Sequence, residues 1–415
     1  MRDATAITLN DRRYRRPRRP TVVVCVDGFD PAYLDDGIDS GVLPALGGFR
    51  DTGFAASADA VMPTFTNPNN LSIVTGAAPA VHGISGNYYL DRASGREIMV
   101  TDASLLCSET ILGKLSQIGV GTAAVTAKDK LRKALGYKMR GICFSAELAD
   151  GCSVAEHGIE DAEALVGRGK PDRYSGELSL FVMDAGIRLL EEQRAELIYL
   201  SLSDYVQHKH APGTPESDDF HRALDARIGR LVALGATVAV TADHGMSDKS
   251  GPDGAPNVIY LEDILDAEFG PGTARVICPI TDPFVRHHGA LGSFVRVYVN
   301  GGPSIQVLID YARSLPGIEL VLDREAACAR FGLPADREGD IVAIGQADTV
   351  IGSRRADHDL SGLDGHRLRS HGGLSEQEVP FLLSRSVTAD YRVEAESRRL
   401  RNFDIFDFAL NGVED

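Results

Sequence analysis

Short runs of β-branched and other apolar residues, several of them closed by an acid, punctuate the chain and set its expected architecture. Residues 21–26 read Thr-Val-Val-Val-Cys-Val and end in Asp27 and Gly28, the pattern of a strand buried on both faces of a parallel sheet. Residues 122–126, 197–201 and 237–241 repeat that pattern, and Asp204 and Asp243 follow closely behind the last two. Residues 54–60 predict an edge or second strand, and residues 379–383 a returning one. Between them, stretches of helical period at 43–53, 109–118 and 218–234 predict amphipathic helices, and residues 402–410 a closing helix. Residues 7–14 read as a small hairpin turning at Asn10 and Asp11. Residues 85–89 are predicted to be a loop that puts Asn87 near the same edge of the sheet.

The pattern changes after Gly251, where Gly, Pro and Asp dominate up to Gly292. A strand at 294–300, a helix at 304–313, a strand at 318–322, a helix at 324–331 and a strand at 341–344 then predict a compact α+β unit. The expected fold is therefore α/β: a central, mostly parallel sheet flanked by helices from residues 1–254 and 366–415, with a smaller α+β cap inserted at 255–365. Ligands of an open parallel sheet bind outside the carboxyl ends of its strands, so Asp27, Asp204 and Asp243 are expected to converge although far apart in sequence.

Composition narrows the function classes. At 415 residues the chain is long enough for two or three domains and a large core. A net charge of −16 argues against a general nucleic-acid binder and suits an enzyme that uses cations to receive an anionic substrate. Six scattered cysteines without a Cys-x-x-Cys pair fit reduced thiols and a cytoplasmic location. No apolar run reaches the length of a membrane span. The arginine-rich residues 12–19 precede too short an apolar run to act as an export signal, and read as a solvated surface segment.

Candidate chemistry begins at residues 62–76. Thr66 is predicted at a helix N-cap, with Pro68 in the first turn, Leu71, Ile73 and Val74 facing a core, and Gly76 as the stop. A helix N-terminus holds anions through free backbone N–H groups, and an adjacent metal would make such a hydroxyl a nucleophile. Alone, the stretch is an ordinary cap; the acids and imidazoles elsewhere change that reading. Asp204 and His208 stand four residues apart, on one face of a helical turn. Asp243 and His244 follow a strand, and His371 sits before two glycines that allow close backbone approach. Two carboxylates with two or three imidazoles suit zinc, with manganese or iron as poorer fits. His82, His157, His221, His287, His288, His358 and His366 are read as structural, and His210 as a decoy or an outer partner of His208. Lys128 and Lys130, just past the 122–126 strand, form either a positive clamp or a solvated basic loop, since Arg132 and Lys133 follow.

In their order, residues 24–28 (Val-Cys-Val-Asp-Gly), 64–69 (Thr-Phe-Thr-Asn-Pro-Asn), Asp204 with His208, residues 241–245 (Thr-Ala-Asp-His-Gly) and 370–373 (Ser-His-Gly-Gly) resemble the alkaline phosphatase superfamily. Within it the chain is most similar to the nucleotide pyrophosphatase/phosphodiesterase branch and, more closely, to the phosphonoacetate hydrolase family; the matching set spans about residues 22–385. The Cys/Ser-x-Pro-x-Arg motif of sulfatases is absent around Thr66. The resemblance implies an alkaline phosphatase-like core and two zinc ions, one held by Asp204, His208 and His371, the other by Asp27, Asp243, His244 and the Thr66 oxygen. It implies Thr66 as the nucleophile of a phosphothreonine mechanism, with substrate contacts from Thr66, Asn87, Lys128, Lys130 and His208, and the Asn67 N–H as a further candidate. The expected partner is a small anionic phosphonate whose C–P bond is hydrolysed to acetate and phosphate, with no nucleic acid and no membrane; a homodimer is compatible. The alternative is phosphodiester or pyrophosphate hydrolysis, for which Tyr88, Tyr89 and Tyr205 could furnish an aromatic slot for a base. A non-catalytic metal-binding role is disfavoured because every expected ligand and the nucleophile are present.

Overall fold

The computed structural model describes residues 5–100, 103–280, 291–363 and 365–414. Of the histidines read as structural, His287 and His288 lie outside the described residues.

The apolar runs assemble into one eight-stranded sheet. Across it the strands lie in the order Leu400–Arg401, Phe54–Asp59, Glu378–Leu383, Thr237–Thr241, Thr21–Cys25, Leu197–Ser201, Thr122–Thr126 and Ile142–Ser145. The Glu378–Leu383 strand runs antiparallel to both its neighbours, and all other pairings are parallel. Val22, Val23 and Val24 are 0% exposed, because helices cover both faces of a parallel sheet. Each valine so buried stabilises the fold by roughly 1.5–3 kcal/mol. The expected 21–26, 122–126, 197–201, 237–241 and 379–383 strands thus form within a residue of their predicted ends.

Helices cover this sheet, and their ends follow local chemistry. Thr110 caps Ile111–Gln117 by accepting from the Gly113 N–H at 3.0 Å. Pro215–Ala233 packs on Glu177–Glu191 and on Pro44–Thr52, its carboxylate Asp225 accepting from the Ala45 and Leu46 N–H groups at 2.9 Å each. Residues 402–410, expected as one regular helix, instead run as a 3-10 turn at Asn402–Asp404, a short α-turn at Ile405–Asp407 and a π-turn at Phe408–Gly412. Asn402 donates to Asn69 at 2.9 Å and to the Ala242 carbonyl at 3.2 Å, contacts to the core that a regular amphipathic period does not encode. The N-terminal hairpin forms as Ala6–Leu9 and Arg12–Arg15, with Asn10 and Asp11 both at positive φ (49° and 62°). Arg12, in the expected solvated segment, pairs with buried Asp404 at 2.6 Å.

A second sheet is antiparallel throughout, in the order Ala274–Ile277, Phe294–Val299, Ile341–Gly345, Ile318–Asp323. It has its own apolar core around Val295, Val297, Ile341 and Ala343, under the helices Leu261–Phe269 and Ile305–Ser314. Residues 85–89, predicted as loop throughout, enter the strand Tyr88–Asp91, which pairs with Arg96–Met99. No helix among the described residues is long and apolar enough to cross a membrane.

Candidate active site

Register alone gathers the acids. Thr241, Cys25 and Ser201 are aligned partners on three adjacent parallel strands, and Asp243, Asp27 and Asp204 follow them by two or three residues. Thr126 is aligned with Ser201 on the next strand, so Lys128 emerges beside Asp204, its Nζ 3.7 Å from Asp204 Oδ1. His208 rides on the turn Tyr205–Lys209 behind Asp204, with Nε2 2.8 Å from Asp204 Oδ2. His371 arrives from the far end of the chain because Arg369–Ser370 pairs antiparallel with Ser247–Asp248, just past His244. The His244 and His371 rings stack with centroids 3.6 Å apart. Gly372, at φ 116°, is needed there, since a Cβ would stand 2.5 Å from the Phe65 ring.

Thr66 differs from the expectation in one respect. It is the first residue of the helix Thr66–Thr75 and Phe65 occupies the cap position, so the Thr66 hydroxyl is not spent on its own helix. Its Oγ1 lies 3.5 Å from His244 Nε2. The helix is buried almost throughout rather than on one face, and Gly76 ends it in the left-handed conformation (φ 63°). Two asparagines to which the sequence reading gave no role hold this end of the helix. Asn69 accepts from the Val61 N–H at 2.7 Å and donates to the Phe65 carbonyl at 3.0 Å, shaping the entry. Asn70 donates to the Thr66 carbonyl at 3.0 Å and to Asp243 Oδ2 at 3.2 Å, while its Oδ1 accepts from Tyr199 and Ser201 at 2.7 and 2.8 Å. Both lie inside the Thr64–Asn70 stretch, where short amides at helix-start positions are the signal.

The donors fall into two overlapping groups whose ligand atoms lie within 4.8 Å of one another: Asp204, His208 and His371, and Asp27, Asp204 and His244. By distance Asp204 is within reach of both groups. Asp243 stands at the margin, its Oδ2 3.8 Å from His244 Nε2 and its Oδ1 accepting from the Gly28 and His244 N–H groups. His210 is outside the cluster, with its ring 3.8 Å from Glu216.

Protonation chemistry tests whether this set suits a metal. In each imidazole Nδ1 meets a backbone carbonyl, which only accepts: Arg369 for His208 at 2.8 Å, Gly245 for His244 at 2.9 Å, Thr64 for His371 at 2.7 Å. Each Nδ1 is thereby engaged by the backbone, and each ring turns its Nε2 toward the carboxylates. Asp27 Oδ1 is buried without a hydrogen-bond partner, 3.3 Å from one such Nε2. Burial and the charges of Asp204 and Asp243 push the Asp27 carboxyl well above its ordinary range, and burial with Asp204 raises Asp243 to about 7. Burial, with His244 and His208, pushes His371 well down. Burial would raise Asp204 too, yet His208 and Lys128 draw it well below its usual range. Three imidazole nitrogens converging on carboxylates crowded out of water form an environment that a divalent cation resolves, so the residues fit a metal centre.

A buried ion pair that sequence reasoning missed braces two of the imidazole loops. Lys249 and Glu376 are both 0% exposed and 2.8 Å apart. Glu376 also accepts from the Gly373 N–H at 2.9 Å, and its carbonyl accepts from the Gly245 N–H at 2.8 Å. A lone Lys and a lone Glu carry no motif, so only their burial reveals them.

Beside the cluster is a cavity of about 50 Å³ lined by Thr66, Asn67, Asn87, Lys128, Lys130 and Asp27, among others. It brings together the residues read as nucleophile, phosphoryl donors and clamp. Lys128 occupies the cap position of the helix Asp129–Leu135, so the two lysines stand at a helix start rather than in a loop. None of Tyr88, Tyr89 and Tyr205 lines the cavity: Tyr88 bonds Glu97, Tyr89 faces Arg337, and Tyr205 carries Lys209 on its hydroxyl.

The type I phosphodiesterase / nucleotide pyrophosphatase family model matches residues 21–373. The chain belongs to that family. Crystal structures of phosphonoacetate hydrolase from Sinorhizobium meliloti 1021, in complex with phosphonoformate and with phosphonoacetate, are 47% identical to it, cover 99% of both chains and give a TM-score of 0.92. A phosphonoacetate hydrolase from Penicillium oxalicum is 56% identical over 46 residues, 11% of this chain and 64% of that protein. An uncharacterized pyrophosphatase/phosphodiesterase from Schizosaccharomyces pombe is 23% identical over 253 residues, 59% of this chain and 47% of the yeast protein. The chain thus spans less than two thirds of the length of these two curated relatives. As a family member it has the alkaline phosphatase-like α/β core that its motifs implied.

Proposed function

We propose that this phosphodiesterase-family chain hydrolyses the C–P bond of phosphonoacetate, giving acetate and phosphate through a phosphothreonine at Thr66. The observation that carries the reading is the single small cavity shared by Thr66, Asn67 and Asn87 with two ammonium groups, Lys128 and Lys130. It is small, about 50 Å³, and its lining of a hydroxyl, amides and ammonium groups suits a short anion. The similarity along the whole chain to phosphonoacetate hydrolase supports the same substrate.

Asp204, His208 and His371 would hold one zinc ion, and Asp27, Asp243, His244 and the Thr66 oxygen the other. Zinc bound there would acidify the Thr66 hydroxyl and supply positive charge against the phosphonate oxygens. The chain's own residues do the rest. Thr66 Oγ attacks phosphorus in line with the P–C bond, while the Asn67 N–H at the helix start and the Asn87 amide hold equatorial oxygens. The P–C electron pair passes to carbon and onto the carboxylate, where Lys128 and Lys130 stabilise the growing charge until carbon takes a proton from water. Water then attacks phosphorus from the vacated side and frees Thr66, so one hard step becomes two easier ones.

The lysines provide the test. Removing either charge should cost about 1.5–3 kcal/mol, the scale of a hydrogen bond to a charged group, or roughly ten- to a hundredfold in kcat/KM for phosphonoacetate. An aryl phosphodiester has no carboxylate at that place and should lose far less. Equal losses for both substrates in Lys128→Ala and Lys130→Ala, at fixed ionic strength, would return the assignment to phosphodiester hydrolysis.

A further inference from the structure

The antiparallel sheet reaches the segment lining the cavity through a buried guanidinium. Arg296, on Phe294–Val299, is 0% exposed and forks onto the Glu338 carboxylate, with Nη2 to Oε2 at 3.2 Å. Its remaining donors leave the sheet and grip the segment that carries Asn87. Nη2 donates to the Ser85 carbonyl and hydroxyl and Nη1 to the Tyr88 carbonyl, each at 2.8 Å. The backbone between these grips is tied as well: the Asn87 N–H donates to the Pro279 carbonyl at 2.8 Å, and its carbonyl accepts from the Val100 N–H at 2.9 Å. Gly86 lies so close to the guanidinium that a Cβ there would stand 3.1 Å from Nη1 and 2.7 Å from the Pro279 side chain. The Asn87 side chain is treated differently. It is 8% exposed, lines the Thr66 cavity, and its Oδ1 has no hydrogen-bond partner.

A locked backbone that carries an amide side chain into a reaction cavity presents the NH2 of that amide as a preorganised donor. From this geometry we infer that the Arg296–Glu338 pair of the antiparallel sheet positions the Asn87 amide for the transferred phosphoryl group. Arg296 is a positioning residue acting through Asn87, and touches no substrate itself. Glu338 keeps the buried cation paired, so that the other donors are held in a fixed fork. The inference rests on the reading of Asn87 as a phosphoryl-oxygen donor given above.

The experiment is a double-mutant cycle between Arg296→Lys and Asn87→Ala, on the zinc-loaded full chain with phosphonoacetate and, in parallel, an aryl phosphodiester. Lysine keeps a charge opposite Glu338 and loses the fork. Asn87→Ala should lower kcat on the order of 100-fold, the loss seen when one such donor is removed. Arg296→Lys should lower it by a similar factor, falling in kcat more than rising in KM, with bound zinc unchanged. The double variant should be no slower than the worse single one. Losses that multiply, an unaffected Arg296→Lys, or loss of bound zinc in that variant would each overturn the inference. Should Arg296→Lys not fold, the cycle is run with Gly86→Ala, which displaces the segment without breaking the ion pair, and the same outcomes decide. If Asn87→Ala alone leaves kcat unchanged on both substrates, the donor role fails and the inference with it. If only phosphonoacetate is left unhydrolysed, the substrate reading fails while the cycle still decides on the phosphodiester.

Discussion

At the scale of residues, Thr66 is one candidate ligand among several and the sole candidate nucleophile, 3.5 Å from His244 Nε2 at the start of its helix. Thr66→Ala should therefore abolish turnover while leaving the fold and most metal affinity in place, because the remaining ligands keep the cluster together. Steady-state rates alongside metal content check this. Turnover within about tenfold of wild type would move the nucleophile to a water or hydroxide. Residue type and order made Asp27, Asp204, His208, Asp243, His244 and His371 legible in the sequence as candidates, since each closes a strand or sits in a short motif. The reach of Asp204 to both donor groups was not legible. That depends on Asp204 lying one residue farther from its aligned strand partner than Asp27 and Asp243 do from theirs, a matter of register.

At the scale of elements, the histidine loops depend on interactions that leave no trace in the sequence. The Lys249–Glu376 pair is wholly buried, and Glu376→Gln would leave a buried ammonium without its counter-charge. Breaking such a pair from one side costs about 3–5 kcal/mol, whereas replacing both partners by apolar residues is often neutral. Urea unfolding should show that loss in Glu376→Gln and recover most of it in the Lys249→Met, Glu376→Leu double variant. A single variant as stable as wild type would show that the pair does not brace these loops. The parallel strands were predictable because both-face burial makes each an unbroken apolar run, as in residues 21–26 and 237–241. The closing segment was not, because its turns answer to Asn402 and the core beneath, and periodicity records only which side is apolar.

For the whole molecule, the −16 charge and the crowding of three carboxylates at the carboxyl ends of adjacent strands both fit the proposed metal centre. Elemental analysis of the native protein should find two transition-metal ions per chain, and chelation should abolish activity. Full activity without bound metal would end that part of the account. The antiparallel sheet, expected from the sequence as a cap, extends a buried arginine to the segment carrying Asn87, a link between distant parts of the chain that no local pattern announces. The central claim is the identity of the bond broken. The most direct test is to incubate the zinc-loaded protein with phosphonoacetate and, separately, with an aryl phosphodiester, following phosphorus and methyl signals by NMR. The account predicts equimolar phosphate and acetate from phosphonoacetate, with much slower cleavage of the diester. Rapid diester cleavage with phosphonoacetate left intact would contradict it.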